Sequence, residues 1–196
     1  MPNFALYAVP DDASDWDGTV KALRAAAGIS GTIESAHCTV VYGPSWSGEG
    51  PEVPSRETVV SCVYPVLSRT HDADTDGSPY TATVVDVDVF DRVKFFVVKV
   101  RLEPDARLAS LRTSLVRDSA EIMASLKASK EAFPQDPSFD VDDVHNWCHM
   151  TIAVVDTADK AEQLVDAAKS AIAKGRQVTF SKLCAVSPVS DTYVWL

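Results

Sequence analysis

Apolar and polar positions recur with a period near two in some stretches and near 3.6 in others, and the two kinds take turns along the chain. Phe4 to Val9 is a short apolar run closed by Pro10, which predicts a strand. Asp11-Asp12-Ala13-Ser14 offers N-cap residues for a helix over about Asp15 to Ala27, stopped by Gly28. His37 to Tyr42 is β-branched and apolar, a strand ended by Gly43-Pro44. Ser45 to Pro54 reads as a loop. Ser55 then caps a helix over about Arg56 to Tyr64, which Pro65 kinks or ends. Arg69 to Pro79 is polar and acidic, a second loop. Tyr80 to Val89 alternates, with Thr81, Thr83, Val85, Val87 and Val89 on one side and Ala82, Val84, Asp86 and Asp88 on the other. A turn at Asp91-Arg92-Val93 joins it to a strand over Lys94 to Leu102, a hairpin.

Pro104 suits the first turn of a helix whose apolar face is Leu108, Leu111, Leu115, Ile122 and Leu126. Ala128 to Asp143 holds Pro134, Pro137 and several acids, a long loop of the kind that often carries function. Trp147 to Val155 is a strand, Thr157 caps a helix to about Lys174, and Gly175 closes it. Val178 to Val186 and Thr192 to Leu196 are the final strands, with Ser187-Pro188 between them. The order strand, helix, strand, helix, strand thus occurs in residues 4–89 and again in 94–186, which predicts one domain of two similar lobes facing one another.

The repeat gives meaning to a short motif. The second strand of the first half reads His37-Cys38-Thr39-Val40-Val41, and that of the second reads His149-Met150-Thr151-Ile152-Ala153. Side chains alternate along a strand, so each His and Thr face one way, about 6.6 Å apart, while Cys38 and Met150 face a core. Two such strands related by the repeat would set two imidazoles and two hydroxyls around one cleft. That set suits phosphoryl transfer without a metal or cofactor. One imidazole takes a proton from water, the other protonates a leaving oxygen, and the hydroxyls donate to the oxygens where charge builds. Tyr42 and Trp46 lie just past the first motif and Trp147 two residues before His149. Tyr42 and Trp147 are candidate contacts for a base.

These residues resemble the 2H phosphoesterase superfamily, defined by two His-x-Thr/Ser motifs on opposed lobes. The likeness is to the cyclic nucleotide phosphodiesterases of the fungal and plant type. It is carried by Ala5-Leu6-Tyr7-Ala8-Val9-Pro10, His37-Cys38-Thr39-Val40, Lys94 to Val100, His149-Met150-Thr151-Ile152 and the terminal Val194-Trp195-Leu196. The resemblance implies a bilobal α+β fold, two antiparallel sheets facing a central cleft with helices outside. It implies metal-independent hydrolysis of ADP-ribose 1″,2″-cyclic phosphate and nucleoside 2′,3′-cyclic phosphates, with His149 activating water and His37 protonating the leaving oxygen. Cys38 and the acidic 128–143 loop depart from many relatives and bear on substrate choice.

Charge narrows the partners. With 18 basic against 28 acidic residues the net charge is −10, and no cluster of Lys and Arg stands out for gripping a long polyphosphate. The expected ligand is therefore a small cyclic phosphate or nucleotide, not a long nucleic acid. A 3′,5′-linked or oligonucleotide signal, or a binding module with two structural histidines, remain alternatives. No apolar run approaches the ~18 residues of a membrane span, so no membrane partner is expected, and the chain reads as a monomer of the cytosol or nucleus. Cys38, Cys62, Cys148 and Cys184 form no CxxC pair and sit among apolar residues, which predicts buried thiols and no zinc. His145 and His71, the other histidines, lack the neighbours of a metal site.

Overall fold

In the computed structural model the described residues are 3–30, 35–45, 65, 68–69, 78–92, 94–128, 138–140, 147–187 and 192–195. The helix expected over Arg56 to Tyr64, Trp46, Cys62, His71 and His145 lie outside them. The chain runs β1 (Asn3–Val9), α1 (Ala13–Ala26), β2 (Cys38–Ser45), β3 (Tyr80–Arg92), β4 (Phe95–Pro104) and α2 (Ala106–Ala128). It continues with β5 (Ser138–Asp140), β6 (His149–Val155), α3 (Ala158–Ala171), β7 (Gln177–Phe180), β8 (Lys182–Ser187) and β9 (Thr192–Trp195).

The strands form one curled antiparallel sheet in the order β7-β3-β4-β6-β2-β1-β8-β9, with β5 on β2. It consists of a four-stranded half, β7-β3-β4-β6, and a five-stranded half, β2-β1-β8-β9 with β5, which among the described residues are joined by the pair of Cys38 with Met150. The halves are not contiguous in sequence: β3 pairs with β4 and β7, and β8 pairs with β1. The expected strand over Val178 to Val186 is therefore two strands. They part at Ser181, whose backbone N–H and hydroxyl both donate to the Asp11 carboxylate at 2.9 and 2.8 Å. Beyond that break β8 crosses to the other half of the sheet.

One face of the sheet carries the core. Leu6, Ala8, Cys38, Val40, Val84, Val87, Val98, Val100, Met150 and Ile152 meet Trp16, Val20 and Leu23 of α1, Leu108, Leu111 and Leu115 of α2, and Leu164 and Ala168 of α3. The helical spacing of α2 read from the sequence is thus seen in its first turns. Its start differs: Pro104 ends β4 opposite Ala82, and Asp105 caps the helix by accepting from Leu108 N–H at 2.7 Å. Thr157 caps α3, its hydroxyl accepting from Lys160 N–H, and Gly28 and Gly175 take φ of +67° and +82° in the turns that follow α1 and α3. Helix α3 stops at Ala171, short of Lys174. The expected loop 128–143 contains β5, which borders β2 through Tyr42–Asp140 and Ser45–Ser138, so β2 runs on through Gly43-Pro44 to Ser45.

Besides a register shift near Gly43-Pro44 at the end of β2, strict alternation fails at three bulges within the long ladders. In β3 the register slips between Val84 and Asp86, so the core face changes from Ala82 and Val84 to Val87 and Val89, and Val85 leaves the series read from sequence. The other two bulges are equivalent to one another. Val40 is the extra residue of β2 against β1, and Ile152 the extra residue of β6 against β4. Each directly follows a motif threonine, which is why Val40 and Val41, and Ile152 and Ala153, are buried side by side. A bulge takes a residue out of the ladder. At Val40 the carbonyl accepts from Arg112 Nη1 of α2 at 2.6 Å, and Arg112 is itself buried.

Replacing Arg112 with Leu leaves that buried carbonyl short of a donor. We expect a loss of about 1–3 kcal/mol in urea unfolding; unchanged stability would show that the contact contributes little.

Candidate active site

The central pair sets the geometry of both motifs. Cys38 and Met150 face each other in antiparallel strands and both point into the core. Their sequence neighbours His37, Thr39, His149 and Thr151 therefore flank the pair on the opposite face. Residues placed diagonally across such a pair have Cα atoms on the order of 7–8 Å apart, and His37 and His149 hold that relation. Their burial agrees with a cleft face: His37, Thr39 and His149 are half-buried and Thr151 is exposed.

Each imidazole is held by a different neighbourhood. The His37 ring stacks on Tyr7 of β1, centroids 3.8 Å apart and planes 17° from parallel. Its Nδ1–H donates to the Ser35 carbonyl at 2.8 Å. A carbonyl can only accept, so in the neutral ring the proton sits on Nδ1. The strand leading into His37 is anchored in turn. Asp17 of α1 accepts from Ser35 Oγ at 2.8 Å and from Ala36 N–H at 2.7 Å. The His149 ring meets Phe90 of β3 edge-on, centroids 5.4 Å apart at 82°. Its backbone partner on β4 is Arg101, and that of Thr151 is Lys99.

The floor beside His149 is charged. Lys99 is 1% exposed, its Nζ 3.4 Å from Asp88 Oδ1 and 3.2 Å from the centre of the Phe90 ring. Arg101 Nη1 lies 3.7 Å from Asp88 Oδ2, and the Arg92 guanidinium 5.4 Å from the Phe90 ring centre. The sequence reading found no basic cluster. The β3–β4 hairpin builds one by bringing Arg92 and Lys99 to the Phe90 ring and Arg101 and Lys99 to Asp88.

The other expected contacts fall differently. Trp147 precedes β6 and does not share the face of His149: its half-buried ring packs on the main core, with the Arg112 guanidinium 5.1 Å from its centre. The alternation assumed for it does not apply, because β6 begins only at His149. Tyr42 pairs through its backbone with Ala5 and Asp140, and its side chain is outside the described set. Tyr7, Phe90, Lys99, Arg101, Asp17 and Ser35 were missed. Lys99 and Arg101 had a visible signal, two cations at alternate positions of an otherwise apolar strand. The others needed knowledge of which strands pair.

Cys38, Cys148 and Cys184 are buried thiols. Cys38 and Cys148 touch at the seam between the halves, Sγ to Sγ 3.7 Å. That contact first, and burial second, hold the Cys148 thiol far above its ordinary value, so it is inert as a nucleophile.

The curled sheet, with helices on one face and two His-x-Thr strands meeting at its centre, is an α+β fold that solved structures share. The particular solved structures it is similar to are those of Usb1 from Kluyveromyces marxianus. One matches with a TM-score of 0.52 at 11% identity over 100% of this chain and 97% of that one. The other, Usb1 with uridine monophosphate, matches with a TM-score of 0.50 at 12% identity over the same shares. No family model and no curated relative matches the sequence. Among the described residues no helix is long and apolar enough to cross a membrane.

The Ser35 contact makes a direct prediction. In nitrogen-15 spectra at high pH, neutral His37 should appear as the Nδ1–H tautomer, and Asp17→Ala should weaken that preference by loosening Ser35. An Nε2–H tautomer in the parent protein would contradict the assignment.

Proposed function

We propose that this chain is a metal-independent cyclic phosphodiesterase of the 2H type. Its substrates are small 2′,3′-type cyclic phosphates, ADP-ribose 1″,2″-cyclic phosphate and nucleoside 2′,3′-cyclic phosphates, opened to the 1″- or 2′-phosphomonoester. One observation carries the reading: two His-x-Thr motifs flank the one residue pair that, among the described residues, joins the sheet halves, and alternation puts all four side chains on the face opposite the buried Cys38 and Met150. A lone His-x-Thr strand is commonplace. Two on one face at diagonal spacing make a frame sized for one tetrahedral anion.

The chemistry follows from that frame. The cyclic phosphate sits between the imidazoles with its non-bridging oxygens accepting from Thr39 and Thr151. The His149 ring takes a proton from water as the water oxygen bonds to phosphorus. The bond from phosphorus to the 3′ oxygen breaks, and that oxygen takes a proton from His37 Nε2, leaving a 2′-phosphate. The two rings end with exchanged protonation states and are reset by solvent. The division of roles between the rings comes from the family likeness. The Nδ1 anchor on Ser35 and the stack on Tyr7 favour a His37 ring held in one orientation, as proton delivery to a fixed oxygen requires.

Hydrolysis assays with nucleoside 2′,3′-cyclic phosphates and ADP-ribose cyclic phosphate test this. His37→Ala and His149→Ala should each lower kcat by about 10²- to 10⁴-fold with the fold intact by circular dichroism. Thr39→Ala or Thr151→Ala should cost about a hundredfold, and EDTA should change nothing. Full turnover in either histidine variant would reject the mechanism. Tight ligand binding without turnover in the parent protein would favour a binding module.

A further inference from the structure

The repeated register sets an unequal chemistry on the two sides of the cleft. Opposite the motif threonine stands Tyr7 in one half and Lys99 in the other, and opposite those stand Cys184 and Asp88. On the His37 side the floor is an apolar cluster of Ala5, Tyr7, Val9 and Cys184. On the His149 side it is Lys99, Arg101, Asp88 and Phe90, with Arg92 one alternation further along β3. Three cations are gathered there beside Asp88 and Asp86, and Asp86, the cross-strand partner of Arg101, is also engaged by Lys169 at 3.3 Å, in a chain whose net charge is −10. A buried ammonium is costly unless it is paired, and Asp88 can balance only one of the three charges.

One buried donor of the cluster lacks an acceptor. Asp88 Oδ1 faces the Lys99 ammonium at 3.4 Å, whereas Arg101 Nε is buried and makes no hydrogen bond. An anionic oxygen of a sugar phosphate would supply that acceptor. Further along the same face the pairs Phe90–Val97 and Val97–Val154 lead to apolar surface, with Val154 54% and Phe95 41% exposed, a platform on which a base or sugar can rest.

We infer that Arg92 and Lys99, which meet the Phe90 ring, and Arg101 beside Asp88 form a second-phosphate subsite. The preferred substrate then carries another phosphate besides the cyclic one between the histidines. This rests on the proposed function of the same face. The subsite adjoins His149, whose ring meets Phe90 with centroids 5.4 Å apart. Arg92 and Arg101 reach solvent and make the contacts. Lys99, sealed beneath Phe90, supplies field and holds Asp88 and the ring in place. The added phosphate is a terminal monoester or an internucleotide diester, and both present the same anionic oxygens.

Three probes separate these outcomes: uridine 2′,3′-cyclic phosphate, the same compound with a 5′-phosphate, and a uridine dinucleotide ending in a 2′,3′-cyclic phosphate. The second phosphate should raise kcat/KM by about tenfold, and the gain should shrink with added salt. Arg92→Gln and Arg101→Gln should each pull the ratio of phosphorylated to plain substrate toward one. Arg92 is exposed, so its variant keeps the test valid if Arg101→Gln folds poorly. A gain for the 5′-phosphate alone identifies a terminal phosphate, a gain for the dinucleotide alone identifies the internucleotide diester, and a gain for both identifies a subsite that accepts either. Turnover of all three at equal kcat/KM, with unchanged ratios in the variants, overturns the subsite and leaves the proposed function standing. If none is turned over, calorimetry with uridine 5′-phosphate against uridine decides. Tighter binding of the phosphate that Arg101→Gln and Arg92→Gln weaken supports the subsite, and equal affinities overturn it.

Discussion

The pairing of Cys38 with Met150 is the constraint on which everything else in the molecule depends. Among the described residues it is the one ladder pair between the two halves of the sheet, and it fixes register as well as adjacency. A slip of one residue would turn both histidines into the helix layer and bring Cys38 and Met150 out to the cleft. Burial opposes that slip, since both are sealed in the core while the motif side chains can reach solvent. A fully apolar pair at the seam thus leaves the four polar groups beside it to the opposite face. Cys148, in contact with Cys38, and Arg112, bonded to the Val40 carbonyl, thicken the same seam from the helix side.

The motifs sit on strands whose ends are tied down. Beyond each motif threonine an equivalent bulge, at Val40 and at Ile152, sends two successive residues into the core. The strand is thereby anchored one step past the site. Before His37, Asp17 holds Ser35 and Ala36. After Cys148, the ladder continues as Leu102 N–H donates to the Cys148 carbonyl at 2.9 Å. Catalytic groups gain from being held near one geometry by elements that cannot easily move. Symmetry in the backbone coexists with asymmetry in the floor, aromatic and apolar under His37, charged under His149.

Much of this was legible in the sequence, for definite reasons. The strands carrying the motifs, α1, α2 and α3 declare themselves by periodicity and by caps such as Thr157 and Gly175, all of them local signals. The repeated His-x-Thr was legible because alternation alone puts His and Thr on one face. Non-local matters were not. The break at Ser181 depends on Asp11, distant in sequence, and it sends β8 to the opposite half of the sheet. The bulges at Val85, Val40 and Ile152 are register events that no single strand announces. The basic cluster appears only when the β3–β4 hairpin closes, and Trp147 misled because its strand starts two residues later than its apolar character suggested.

Convergence of the two imidazoles on one anion can be measured without any substrate. Inorganic vanadate, a stand-in for phosphate in attack, can be titrated while the ring protons of His37 and His149 are followed by nuclear magnetic resonance. Both rings should shift together along one binding curve with one Kd. A shift at only one ring, or two curves with different midpoints, would contradict a shared site.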